Sequence, residues 1–264
     1  MAEGRPFAVV TGASSGIGLE LARCAARDGC DLLVCAEEAR IEEVARDLRA
    51  AGATVEAVQA DLSTEAGVEA LWAAVGAREV DHLCANAGVT LGRAFVEQDW
   101  PRIRALVGLN VLGTTRLLHL ALARMAARGR GRVLVTGSIA GFVPGSHQAV
   151  YNASKAYLDS LAYALRDELR ETEVTVTCLM PGPVETEVFE RGDMADTPIG
   201  RTRLKDDPAR VAEAGWEAMK AGRAGITPGL ANRLAATFAG LVPDTVLARL
   251  NRWVAEPDGE TRRD

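Results

Sequence analysis

The chain has 264 residues, 48% of them hydrophobic and 25% charged, a composition that suits a globular protein with one substantial core and excludes a charge-dominated disordered chain. Its formal net charge of -6 is spread along the sequence, so it favours solubility and gives no expectation of nucleic-acid or anionic-membrane binding. Residues 1–6 are short and polar, and no later apolar run is read as reaching the ~20 residues that span a bilayer, so a cytoplasmic protein with no membrane partner is expected.

In chain order, short β-branched or apolar runs at 7–11, 31–36, 54–60, 80–85, 132–136 and 174–179 alternate with stretches of helical period at 17–28 and 38–51 and from about Thr64, Asp99, Gln148 and Pro208. This βαβ alternation predicts a single α/β domain over 1–264, a Rossmann-type doubly wound parallel sheet with helices on both faces and a helical extension at the C-terminus. Such sheets bind ligands beyond the carboxyl ends of their strands. The residues just after each strand are therefore the ones to read.

After the first run comes Thr11-Gly12-Ala13-Ser14-Ser15-Gly16-Ile17-Gly18, which also opens the first helix. Backbone amides at a helix N-terminus can face a pyrophosphate, and glycines let it approach. The spacing G-x-x-x-G-x-G departs from the generic G-x-G-x-x-G, so by itself it reads equally as a glycine-containing turn. After the second run stands Glu37, placed either to accept from ribose hydroxyls or to lie in solvent. Glu38 beside it reads as a helix N-terminal acid, and Arg40 is close enough to reach a phosphate. Asp61-Leu62 follows the third run, where Asp61 also reads as a helix cap, and Asn86-Ala87-Gly88 follows the fourth.

Ser138 ends the fifth run, and thirteen residues later Tyr151 precedes Lys155 by four, which puts phenol and ammonium on one helix face. A free tyrosine ionises near pKa ~10 and needs ~4 kcal/mol of differential stabilisation to act as a base near neutrality, which a neighbouring cation can largely supply. A Tyr-x-x-x-Lys alone is also an ordinary helix-surface pair.

Taken together these segments resemble the short-chain dehydrogenases/reductases over about residues 7–190. The resemblance implies an oxidoreductase that moves a hydride between a nicotinamide and a secondary alcohol or ketone. It assigns catalysis to Asn110, Ser138, Tyr151 and Lys155, with Tyr151 as acid/base, Ser138 holding the substrate oxygen, Lys155 also on the nicotinamide ribose, and Asn110, within the helix from Asp99, holding a water that links Lys155 to solvent. It assigns the cofactor to Gly12, Ser14, Ser15, Gly16, Ile17, Gly18, Glu37, Asp61, Leu62, Asn86, Ala87, Gly88, Tyr151, Lys155, Pro181, Gly182, Val184 and Thr186. Relatives that use NADP carry a basic residue at the position of Glu37 or Ser15, so NAD is expected. A small-molecule substrate and a homo-oligomer, dimer or tetramer, are also implied. The alternatives are a non-catalytic NAD(P) sensor and an NADPH-dependent 3-oxoacyl-type ketoreductase.

Residues 188–207 are polar and weakly periodic, which suits a mobile substrate loop, and Phe142, Val143, His147 and Gln148 are expected to border the same pocket. The segment 230–255 departs from the family's usual end. It reads as two amphipathic helices, with Leu230, Leu234, Phe238 and Leu241 on one stripe and Val246, Leu250 and Trp253 on the next, expected to pack on their own domain. Cys24, Cys30, Cys35, Cys84 and Cys178 lack any C-x-x-C pair and read as buried reduced thiols, while His82, His119 and His147 lack metal-ligand spacing, so no metal site is expected.

Overall fold

Seven parallel strands form the sheet of the computed structural model, which describes residues 4–202 and 204–257; the remainder of the expected 1–264 domain lies outside the described residues. They are β1 (Phe7–Thr11), β2 (Asp31–Ala36), β3 (Val55–Gln59), β4 (His82–Ala85), β5 (Arg130–Thr136), β6 (Glu173–Leu179) and β7 (Gly225–Ile226), ordered β3-β2-β1-β4-β5-β6-β7. Between them run α1 (Gly16–Arg27), α2 (Ile41–Ala50), α3 (Glu65–Val75), α4 (Trp100–Val107), α5 (Thr114–Arg128), α6 (Ala149–Glu168), α7 (Val188–Arg191), α8 (Pro198–Arg201) and α9 (Pro208–Lys220). The chain closes with α10 (Leu230–Ala239) and α11 (Asp244–Ala255).

The strands read as continuous apolar runs because both faces of the sheet are covered. Side chains alternate between two cores. Val9, Leu33, Leu83, Val133 and Val176 meet α3, α5 and α6 through Leu71, Leu118 and Leu158. Val10, Leu32, Val34, Leu134 and Leu179 meet α1, α2 and α9 through Leu21, Ile41 and Trp216. The order reverses at β1 and β4, and the crevice at that switch point is where the glycine loop sits.

Three segments differ from the sequence reading. The helix expected from Asp99 is interrupted by a π-helical turn at Gly108–Gly113 between α4 and α5, so Asn110 sits on a widened, under-wound step. Taken as one 29-residue stretch, Trp100–Arg128 is apolar and long enough to cross a bilayer, which corrects the expectation that no run would be; Ile103, Leu106, Leu118 and Met125 nevertheless face the protein interior. Residues 188–207 are structured: α7 and α8 form there, and Phe189 and Met194 pack with Ala255 of α11.

The tail helices form, but α10 is turned opposite to expectation. Its alanines, Ala235, Ala236 and Ala239, line the main cleft, while Leu230, Leu234 and Phe238 are half or more exposed. Close approach favours the small face: a Cβ at Gly182 would meet the Asn232 side chain of α10, leaving no depth there for leucines.

Candidate active site

One cleft runs along the carboxyl ends of β1, β2, β4, β5 and β6, and the glycine loop forms its floor. Gly12 and Gly16 have φ of +66° and +55°, a region that costs other residues strain, and each also lacks room: a Cβ at Gly12 would lie 2.9 Å from Ala87 Cα, and one at Gly16 would lie 2.8 Å from Thr186 Cγ2. A Cβ at Gly18 would overlap the Gly12 carbonyl oxygen. Ser15 stands at the N-cap of α1 with no side-chain bond to the helix, so the first amides of α1 remain directed at the cleft.

Of the eighteen residues expected to hold the cofactor, all but Gly18 line this cleft, Gly18 lying beneath the loop. Asp61 spends Oδ1 on the backbone N–H of Ser63, and the cap of α3 is Thr64, whose hydroxyl accepts from Gly67. Asn86 is a strand tie. Its amide donates to Thr11 O at 3.1 Å and accepts from Thr136 Oγ1 at 3.0 Å, linking β1, β4 and β5 beneath the cleft.

At the end of β2 two carboxylates enter the cleft, Glu37 exposed and Glu38 half-buried. Glu38 accepts from Ser14 Oγ at 2.9 Å and from Arg191 of α7, and Arg40 pairs with Glu187 at 3.1 Å. Burial raises the Glu38 pKa, but Ser14 and Arg191 outweigh it and hold the carboxyl below its ordinary range. Sequence reading took Glu38 for a helix-end acid, but α2 begins only at Ile41.

The reactive end is built by α6 and the loop after β5. Lys155, 5% exposed, donates to Thr136 O at 2.8 Å, and its Nζ stands 5.9 Å from the centre of the Tyr151 ring. Burial pulls Lys155 down to about 8, with the Asp159 charge opposing; burial lifts the Tyr151 phenol, and the neighbouring Ser138 hydroxyl works against that lift. Ser138 Oγ lies 3.4 Å from Pro181 O and accepts from Ala140 N–H. Phenol, hydroxyl and ammonium thus meet within the cleft.

Asn110, fully buried, does not line the cleft. Its amide accepts from Val89 N–H at 3.0 Å and donates to Val89 O and Ser154 Oγ, one layer behind Gly88. Beyond Ser138, Val143 and Gln148 border the cleft as expected, but Phe142 and His147 do not; His147 turns toward the tail, 3.9 Å from Glu256. Phe189 and Ile199 line the cleft from the expected substrate loop, whereas the alanine face of α10 was not expected; its signal is a run of small residues inside an otherwise apolar helix.

The profile of the short chain dehydrogenase family matches residues 6–195. An uncharacterized oxidoreductase of Myxococcus xanthus is 38% identical over 186 residues, covering 69% of this chain and 73% of that one. Among solved structures, the short-chain dehydrogenase of Sphingobium yanoikuyae in complex with NADPH superposes with a TM-score of 0.81 at 29% identity, covering 89% of this chain and 93% of its own. A short chain dehydrogenase/reductase from Burkholderia phymatum in complex with NAD gives 0.78 at 26%, covering 89% and 92%. With the glycine-floored cleft of a doubly wound sheet and a matching profile over most of its length, the chain belongs to the short-chain dehydrogenases/reductases and is an NAD(P)-dependent oxidoreductase of alcohol and ketone groups.

Proposed function

We propose that the chain, acting as one catalytic domain, oxidises a neutral, largely apolar secondary alcohol with NAD, Ser138 and Tyr151 holding the reacting oxygen and Tyr151 moving its proton. The observation that carries this reading is the convergence of Tyr151, Lys155 and Ser138 in the cleft, with Lys155 and Ser138 buried. Bound nicotinamide would supply the hydride acceptor; the loop fits its pyrophosphate, since Gly12, Gly16 and Gly18 leave no room for side chains. Tyr151 takes the hydroxyl proton as the carbonyl forms, and Lys155 favours the phenolate through its charge and would hold the ribose. Asn110 keeps Gly88 and Val89 in place behind Lys155.

The NAD preference rests on Glu37 and Glu38, whose carboxylates would repel a 2′-phosphate, and on Arg40 and Arg191 being engaged by Glu187 and Glu38. Substrate class follows from the walls near Ser138. Ile139, Val143, Phe189, Ile199 and Ala239 are apolar there, and Gln148 and Asn251 direct their amides to Met194 and to the Ser146 carbonyl. A charged substrate group would lose water against these walls without recompense. The exposed Leu230, Leu234, Phe238 and Trp253 support self-association, which a monomer in light scattering would refute. Five buried free thiols support a reducing compartment such as the cytoplasm.

The test is nicotinamide absorbance with NAD and NADP over alcohols and ketones graded in size and charge, for wild type and Tyr151→Phe. Turnover with NAD on bulky neutral alcohols, lost in Tyr151→Phe, is the expected result. Turnover confined to NADPH and acyl thioesters would overturn it in favour of a 3-oxoacyl-type ketoreductase.

A further inference from the structure

Asp159 stands four residues after Lys155 and eight after Tyr151 on α6, so the three share one helix face. Its side chain is 6% exposed. Oδ1 accepts from the backbone N–H of Ser138 at 3.3 Å and from the thiol of Cys178 on β6 at 3.3 Å. Oδ2 is buried and has no hydrogen-bond partner among the described residues.

The loop after β5 is shaped around this carboxylate. A Cβ at Gly137 would overlap Oδ1, and one at Gly141 would overlap Oδ2, so glycine is required on both sides of Ser138 by the carboxylate itself. A fold that needed only to fill this space would use an apolar side chain, because an ionised carboxylate withdrawn from water carries a large desolvation cost. The charged and titratable groups that face Asp159 are Lys155, Tyr151 and Tyr163 on α6 and Cys178 on β6. Lys155 is the cation among them.

We propose that Asp159 is a positioning residue for the proton-transfer group: its carboxylate fastens the Ser138 loop to α6 and, one helical turn from Lys155 without touching its ammonium, sets a buried opposite charge behind it. The inference rests on the reading of Tyr151 and Lys155 as the reacting pair. It explains why the loop carries glycine at 137 and 141, and why an uncompensated oxygen is tolerated beside Ser138. Burial lifts Asp159 to about 6, with the Cys178 thiol and Lys155 opposing, so it is ionised at neutral pH, while Lys155 is held near 8.

Asp159→Asn keeps an acceptor for Ser138 and removes the charge. In this variant the alkaline limb of the pH profile for alcohol oxidation, where Lys155 loses its proton, should move down by about one pH unit or more, with KM for NAD within about twofold of wild type. Asp159→Glu should return the limb toward its original position. A limb that coincides with wild type in Asp159→Asn overturns the proposal, whatever the absolute rate. Should Asp159→Asn not fold, the wild type still decides the matter. The chain has three lysines, Lys155, Lys205 and Lys220, so 13C-lysine labelling gives three Cε signals, Lys155 being identified by its loss in Lys155→Arg. That signal should show a second inflection near pH 6 as Asp159 takes up a proton, and a single inflection overturns the pairing. Activity that survives in Tyr151→Phe would instead remove the underlying reading of the site, and the Lys155 titration, which needs no turnover, would still stand or fall separately.

Discussion

In the proposed reaction Tyr151 changes protonation state in surroundings that resist it: burial lifts its phenol, the Ser138 hydroxyl lowers it, and the Asp159 charge adds to the lift. The free chain therefore holds the phenol protonated at neutral pH. Ketone reduction, which needs the donor, should run best at lower pH than alcohol oxidation, which needs the base; rate profiles in the two directions with coincident optima would contradict this. Tyr151→Phe should lower kcat by roughly 10²–10⁴-fold with little change in NAD affinity, as transient kinetics and titration would show. Asn110→Ala should cost about 2–4 kcal/mol in a denaturant titration, because it strands Val89 and Ser154 in the interior. Tyr151, Lys155 and Ser138 were legible because their chemistry fixes their spacing. Asp159 was not, since a carboxylate one turn beyond a lysine has the same sequence pattern as a solvated helix face.

The elements were legible where burial repeats along the chain. β1 and β2 fall on the expected residues, because a strand covered on both faces shows as an unbroken apolar run. The π-helical turn at Gly108–Gly113 was hidden because apolar residues run on both sides of it, so the change of phase does not show as a break in the pattern; the structure reveals it, with Asn110 set against Val89. The facing of α10 was hidden for another reason. Its larger residues were assigned to the core, whereas the structure sets Asn232 over Gly182 and turns Ala235, Ala236 and Ala239 to the cleft. At this scale the glycine loop is the sharpest test. Gly18→Ala drives a methyl into the Gly12 carbonyl and should cost about 1–3 kcal/mol in thermal or denaturant unfolding, together with weaker NAD binding by calorimetry.

Across the whole molecule, the two cores on either side of the sheet enclose the cysteines. All five are buried, and burial raises their thiols, Cys30 to about 11 and Cys35 to about 12. Thiol reagents should thus label the native protein only at its rate of opening and label all five at once in denaturant; immediate labelling of one or more would contradict the packing. The overall architecture was the most legible feature, because alternation of strand and helix constrains topology more than any single residue does. The relation of the tail to residues 188–207 was not legible, since it depends on Phe189 and Met194 meeting Ala255 across some sixty residues of chain.

The ion pairs between α7 and the end of β2 have a kinetic consequence. Arg191 with Glu38 and Arg40 with Glu187 join the two banks of the cleft beyond the end of β2 by side chains alone. Partly exposed pairs of this kind are worth about 0–1 kcal/mol each and weaken as added salt shortens the reach of charge. The gap they close is therefore only lightly held, since rotamer changes of such exposed side chains take ps–ns and suffice to break the pairs. Electrolyte becomes a control on traffic: raising ionic strength should loosen the banks and shorten the residence of a nucleotide bound between them.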